Sequence, residues 1–315
     1  MSGQRYRLVT RSDFDGLVCA VLLRALDLTD DILFVHPKDV QDGAVEITDR
    51  DILTNLPYDP RAHLVFDHHH SEALRTGGNA ANHVIDPVAP SAARVIYDHF
   101  GGAERFPGVS AELMEAVDRA DSAQYGIDDI LHPTGWTLLN FLMDSRTGLG
   151  RFRHFRISNY QLMMRLIDAC LQHQDVAEIL ALPDVAERVE LYRIQSGRFV
   201  EQLRRTSRVR DDVVIVDLRD EEVIYAGNRF MVYALFPQAR VSVHVLWGKQ
   251  KLNTVLAVGK SILDRSSPSD IGSVMLRYGG GGHVAAGTCQ VPHEEAERVI
   301  AEVVEAVRAP RGVPV

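Results

Sequence analysis

The run Asp67-His68-His69-His70 packs one carboxylate and three imidazoles into consecutive positions. Those groups transfer protons, bind metals and stabilise phosphates. They follow Leu64-Val65-Phe66, an apolar stretch that reads as a buried strand ending at the aspartate. Open α/β sheets bind ligands at the carboxyl ends of their strands. A histidine-rich surface turn has the same composition, and the four residues alone do not separate the two readings. Asp13-Phe14-Asp15-Gly16 is a second such group. Two aspartates one residue apart at a strand-to-helix junction form either a helix cap or a pair of oxygen ligands for a divalent cation. Asp49 and Asp121 add carboxylates at other turns. Far along the chain, Gly279-Gly280-Gly281-Gly282-His283 precedes Ala285-Ala286-Gly287. Glycines in a row either let backbone N–H groups converge on an anion or make a flexible turn.

These groups need elements to carry them. Arg7 to Thr10 reads as a first strand, followed by a helical pattern through Leu17, Ala20, Val21 and Leu23. Ile32 to Val35 reads as a second strand with His36 at its end, and Ala44 to Thr48 as a third ending at Asp49-Arg50-Asp51. Leu64 to Phe66 is the fourth. If these strands are parallel, their turns meet at one edge. Helices are predicted from Ser91, after Pro90, and over Ala111 to Ala120, leading to Asp121. Arg151-Phe152-Arg153-His154-Phe155-Arg156 interleaves basic and aromatic residues, which suits either a phosphate or base contact or a solvated helix start. From Asp184 to Arg210 a long helix is expected, with Val185, Val189, Tyr192, Phe199 and Leu203 on one stripe. Beyond Asp211 the β-rich segments indicate a smaller second α/β domain. The tail Ala309 to Val315 is of low complexity.

At 315 residues the chain has room for two cores. A net charge of −9 argues against coating long duplex nucleic acid, though not against small anions met by a bound cation. No apolar run is long enough for a membrane span, and the polar start lacks a signal-peptide core. The 3 cysteines, Cys19, Cys170 and Cys289, have neither zinc-site nor disulfide spacing, which points to a reducing cytoplasm.

Taken together, these motifs resemble the DHH phosphoesterase family with its associated C-terminal domain. Asp13-Phe14-Asp15-Gly16 resembles its first motif, Asp49 its second, and Asp67-His68-His69 the signature that names it. Asp121-Ser122-Ala123-Gln124-Tyr125 resembles the fourth, and Gly280-Gly281-Gly282-His283 with Ala285-Ala286-Gly287 matches the C-terminal domain. The resemblance implies an α/β fold with a mostly parallel N-terminal domain over residues 1–183. A linker helix would cover 184–210 and a mixed substrate domain 211–315. It implies a hydrolase holding one or two Mn2+ ions, with Mg2+ as an alternative. Asp15, Asp49, His68 and Asp121 would form one metal site, with Asp49 bridging to another served by Asp13. His69 would stabilise phosphate charge, and Asp67 would orient an imidazole. Arg11, Lys260, Gly281, Gly282 and His283 would bind substrate. The implied substrate is small and phosphate-rich: a short oligonucleotide, a nucleoside bisphosphate, a cyclic dinucleotide or polyphosphate. A homodimer stays open.

The first motif departs from the family. Where members carry a histidine or a further aspartate, this chain has Val9 and Arg11. Either His36 substitutes as a ligand, or the Arg11 guanidinium meets the phosphate directly. The same departure admits a second reading, a binding or sensing protein that hydrolyses poorly.

Overall fold

The computed structural model describes residues 4–77, 80–173 and 175–308, so the tail Ala309–Val315 and the first residues Met1–Gly3 lie outside the described part. The elements in chain order are β1 (Tyr6–Arg11), α1 (Phe14–Ala25), β2 (Thr29–Val35), α2 (Pro37–Gln41), β3 (Asp51–Thr54), β4 (Leu64–Asp67), α3 (His70–Thr76), β5 (His83–Ile85), α4 (Ala92–His99) and α5 (Ala111–Asp121). They continue with α6 (Ile127–Leu131), α7 (Gly135–Met143), α8 (Asn159–Gln172), α9 (Val176–Ala181) and α10 (Pro183–Thr206). Then come β6 (Ser207–Arg210), β7 (Val213–Asp217), α11 (Met231–Leu235), β8 (Val241–Trp247), β9 (Thr254–Lys260), α12 (Ile271–Leu276), β10 (Gly281–His283), β11 (Ala286–Val291) and α13 (Ala296–Val307). Two compact units result, one of Met1–Gln124 with Pro133–Leu191, the other of Tyr125–His132 with Tyr192–Val315.

The first unit is built on a five-stranded sheet in the order β2-β1-β3-β4-β5, with every neighbouring pair parallel. Parallel strands bring all their carboxyl ends to one edge. Register then decides which residues meet there. Thr10 pairs with Thr54, and Thr54 with Phe66, so the next row across β1, β3 and β4 is Arg11, Asn55, Asp67. α1 is apolar nearly all round and buried from Phe14 to Leu23. It starts tightly because Gly16 leaves no side chain: a Cβ there would sit 2.0 Å from the Arg11 carbonyl oxygen.

The third strand is not Ala44–Thr48 but Asp51–Thr54. The alternation in Ala44–Thr48 has another cause. Val45 and Ile47 cover, from a loop, the core of Val9, Leu53, Leu56 and Val65. The loop is tied down because the Asp51 carboxylate accepts from the Thr48 backbone N–H at 2.7 Å. The long helix stops at Thr206, and Ser207–Arg210 pairs instead as an antiparallel strand with β7.

The second unit carries a six-stranded mixed sheet in the order β10-β11-β9-β8-β7-β6, in which only β7 and β8 among these pairs run parallel. Its core joins Val213, Val243, Val258 and Cys289 of the sheet to Ile271 and Met275 of α12 and Val299 and Val303 of α13.

Candidate metal centre

Three side chains converge at the carboxyl edge of the parallel sheet: Asp15 from the first turn of α1, His68 just after β4, and Asp121 at the end of α5. Each offers a ligand atom, and these atoms lie within 4.8 Å of one another. Asp15 is 2% exposed. Its carboxylate accepts from the backbone N–H groups of Ala92 at 3.1 Å and Ala93 at 2.9 Å, the amino end of α4. A helix amino end favours negative charge, and a carboxylate keeps further lone pairs for other partners. α4 is fixed in turn. Ser91 caps it, Ser91 Oγ donates to Asp118 at 2.7 Å, and Arg94 Nε and Nη2 donate to the same carboxylate at 2.9 and 2.6 Å. Asp118 lies one turn before Asp121, so one helix both locks α4 and presents a ligand.

His68 Nδ1 lies 3.2 Å from the Ala89 carbonyl oxygen, which orients the ring. Its Nε2 lies 3.0 Å from Asp121 Oδ2 yet is buried without a properly aligned hydrogen bond. An imidazole nitrogen paired with one carboxylate and within 4.8 Å of a second is placed as a cation ligand would be. The electrostatics agree. Burial pushes the Asp15 carboxyl up to about 7, and the charge of Asp121 adds to this while His68 opposes it. Burial lowers the His68 pKa, but contact with Asp121 and the charge of Asp15 outweigh it and raise the group to about 9. Burial likewise raises Asp121, but the His68 contact and the charges of His68, His69 and Arg11 hold it below the usual carboxylate range. Such a cluster calls for positive charge. Two carboxylates and an imidazole, with no thiolate, suit a divalent ion harder than zinc. The residues fit a bound metal.

Around these three, Asp13 caps α1 by accepting from Gly16 N–H at 3.0 Å and pairs with Arg11 Nε at 3.0 Å. Burial raises its pKa, as does Asp121, against the lowering charges of Arg11 and Arg146. Asp67 is wholly buried, and its Oδ1 lies 2.7 Å from His69 Nδ1. That contact fixes the orientation of the His69 ring through Nδ1. The rings of His68 and His69 are 4.7 Å apart.

Other expected residues sit elsewhere. Asp49 is exposed in the turn before β3, at the amino edge of the sheet, and does not join Asp15 and His68. The reason is the strand shift: with β3 beginning at Asp51, Asp49 precedes the strand instead of ending it. His36 is exposed and caps α2, its Nδ1 accepting from Lys38 N–H at 3.2 Å. It is therefore a capping histidine and not a substitute ligand. Val9 is core, with no exposure. Tyr125 is packed, 5% exposed, and Arg188 stacks over Phe155 at 4.0 Å, so both rings are engaged within the protein.

In the second unit, Lys260 ends β9, and its backbone N–H donates to Ala285 O at 2.8 Å. Its Nζ donates to Ser267 O at 3.2 Å. Gly281, Gly282 and His283 form β10 against β11, so Lys260 and His283 lie at one end of the sheet, with His283 exposed. Gly282 is required sterically: at φ +157° a Cβ would meet Ala286 O at 2.3 Å. Gly281 has open space where a Cβ would stand.

The sequence reading missed two groups. Arg146 acts on Asp13 by its charge, and nothing in its sequence neighbourhood indicates this. Asn55 stands in the edge row between Arg11 and Asp67, and the one available signal was its place after the apolar run Ile52-Leu53.

No protein-family model matches the chain, and no curated protein matches it either. Among solved structures, a pGpG-specific phosphodiesterase, PggH, from Vibrio cholerae is 60% identical, with a TM-score of 0.85 over 96% of this chain and 99% of that one. RecJ from Thermus thermophilus, solved with Mn2+, is 17% identical at a TM-score of 0.49, over 99% of this chain and 53% of that one. CDC45 from Entamoeba histolytica is 10% identical at 0.49, over 97% of this chain and 96% of that one. Likeness of that lower degree decides nothing about chemistry here.

Proposed function

We propose, from the premise that this chain belongs to the DHH phosphoesterase family, that it cleaves the phosphodiester bond of pGpG or a closely similar short dinucleotide. The broader statement is plain: the chain is a metal-dependent phosphoesterase, a hydrolase acting on small phosphate-rich substrates. The narrower one is carried by 60% identity to the pGpG-specific enzyme over 99% of its length.

In this reading Asp15, His68 and Asp121 hold the cation, and manganese suits their mixed carboxylate and imidazole donors. A divalent ion there supplies positive charge to a phosphate oxygen and makes a nearby water more acidic. The chain's own groups do the rest. His69, oriented through Nδ1 by Asp67, is the group placed to meet a phosphate oxygen with Nε2. Arg11 adds a guanidinium beside Asp13, in a fork geometry suited to phosphate oxygens. Water adds to phosphorus, the bond from phosphorus to the leaving sugar oxygen breaks, and that oxygen takes up a proton. Two mononucleotides result. Lys260 and His283, with the backbone of Gly281 and Gly282, are proposed as a phosphate-binding end of the second unit. The three free, buried cysteines suit a cytoplasmic setting.

The test is product release with Mn2+ or Mg2+ from pGpG, a cyclic dinucleotide, adenosine 3′,5′-bisphosphate and polyphosphate. The double variant His68→Ala, Asp121→Ala is the control. Cleavage of pGpG that vanishes in the control supports the proposal. Cleavage of polyphosphate alone overturns the dinucleotide reading and leaves the phosphoesterase.

A further inference from the structure

Asn55 follows β3 directly, with φ at +55°, a conformation asparagine tolerates better than other side chains that carry a Cβ. It is 1% exposed, and neither Oδ1 nor Nδ2 of its amide has a hydrogen-bond partner. Its backbone N–H donates to Phe66 O at 3.1 Å, which seats it against the end of β4. There Asp67 keeps another buried atom without a partner, Oδ2, and His68 Nε2, though 3.0 Å from Asp121 Oδ2, makes no aligned hydrogen bond. Buried polar atoms are nearly always satisfied, and unsatisfied atoms gathered on neighbouring strand ends share one explanation, a partner that enters from outside the chain. The floor below them is bonded: Thr54 Oγ1 donates to Thr10 Oγ1 at 2.7 Å, and Cys19 Sγ lies 3.9 Å from Asp15 Oδ1.

We infer that Asn55 belongs to the metal centre, its amide oxygen serving the cation held by Asp15, His68 and Asp121 as a neutral fourth ligand, and that the centre holds one cation. This rests on the metal-dependent reading above. Charge accounts for the amide. Asp15 and Asp121 already balance one divalent ion, and a neutral oxygen adds a ligand without adding charge. A second ion would have to share Asp67, whose Oδ1 already holds His69 Nδ1. Asp13 is paired with Arg11, Val9 is apolar core, and Asp49 lies at the opposite edge of the sheet.

The experiment is a titration of the metal-stripped full chain with MnCl2, by calorimetry and by electron paramagnetic resonance of free Mn2+. It compares wild type, His68→Ala, Asn55→Gly, which keeps the positive φ, and Asn55→Asp. Wild type is expected to bind one Mn2+ per chain. Asn55→Gly is expected to weaken binding by about 10- to 100-fold, and Asn55→Asp, which adds a charge, to tighten it at least about tenfold. Asn55→Gly and Asn55→Asp that both match wild type overturn the role of Asn55 and leave the cation site standing. Two ions per wild-type chain overturn the single-cation part. A wild type that binds no better than His68→Ala overturns the cation reading itself. If Asn55→Gly does not fold, the affinity of Asn55→Asp decides alone, and no change overturns the inference.

Discussion

The two edges of the parallel sheet carry similar residue types and use them in opposite ways. At the amino edge, Arg5, Arg7, Asp30, Glu46, Thr48, Arg50 and Asp51 line a cavity of about 340 Å3. Its buried acid is fully engaged. Asp51 accepts from Arg7 Nε and Nη2 at 2.7 and 2.8 Å, and from Thr48 N and Oγ1 at 2.7 and 3.2 Å. At the carboxyl edge, Asp67 Oδ2 and both amide atoms of Asn55 are buried without partners, and His68 Nε2 has only its ion pair with Asp121. The amino edge is closed chemistry that holds β1 to the loop before β3. The carboxyl edge leaves valences open for a cation and a phosphate. A cavity whose acid is internally neutralised is thus the poorer candidate for a site.

This contrast can be broken by mutation. The largest effect belongs to His68→Ala, which should cut kcat/KM by roughly 10³-fold, read from pGpG turnover, with folding intact by circular dichroism. Asp51→Ala at the other edge should lower stability by about 2–4 kcal/mol, because it strands Arg7 and the Thr48 N–H. Urea unfolding measures that loss, and turnover per folded molecule should stay near wild type. If Asp51→Ala instead abolished turnover without unfolding, the division of labour between the edges would be wrong. Asp67→Asn should cost about 10- to 100-fold in activity or metal affinity, because an amide holds His69 Nδ1 less firmly than a carboxylate. Asp49→Ala, an exposed turn residue, should change stability by no more than about 0.5 kcal/mol and leave turnover unchanged. A large loss there would return Asp49 to the site.

Much of this was legible in the sequence where periodicity and chemistry coincide. Leu64-Val65-Phe66 reads as a buried strand ending at Asp67, and the strand is there. The Asp13-Phe14-Asp15 pair left cap and ligand open, and the structure divides the roles: Asp13 caps α1, and Asp15 faces His68 and Asp121. The failure at Asp49 has a local cause. Ala44–Thr48 alternates as a strand does, but its apolar residues roof a core from a loop, and the true strand is only Asp51–Thr54. Register cannot be read from so short a run, so Asn55, one step past its end, was not singled out. Arg146 lies far along the chain, and only tertiary folding makes its charge felt at Asp13.

The α4–α5 clamp has a consequence of its own. Asp15 rests on the amino end of α4, Asp121 ends α5, and Ser91, Arg94 and Asp118 bolt those two helices together. The spacing of the two carboxylates is therefore tied to how α4 packs against α5. An ion's radius and preferred number of ligands would then decide how well these carboxylates hold it.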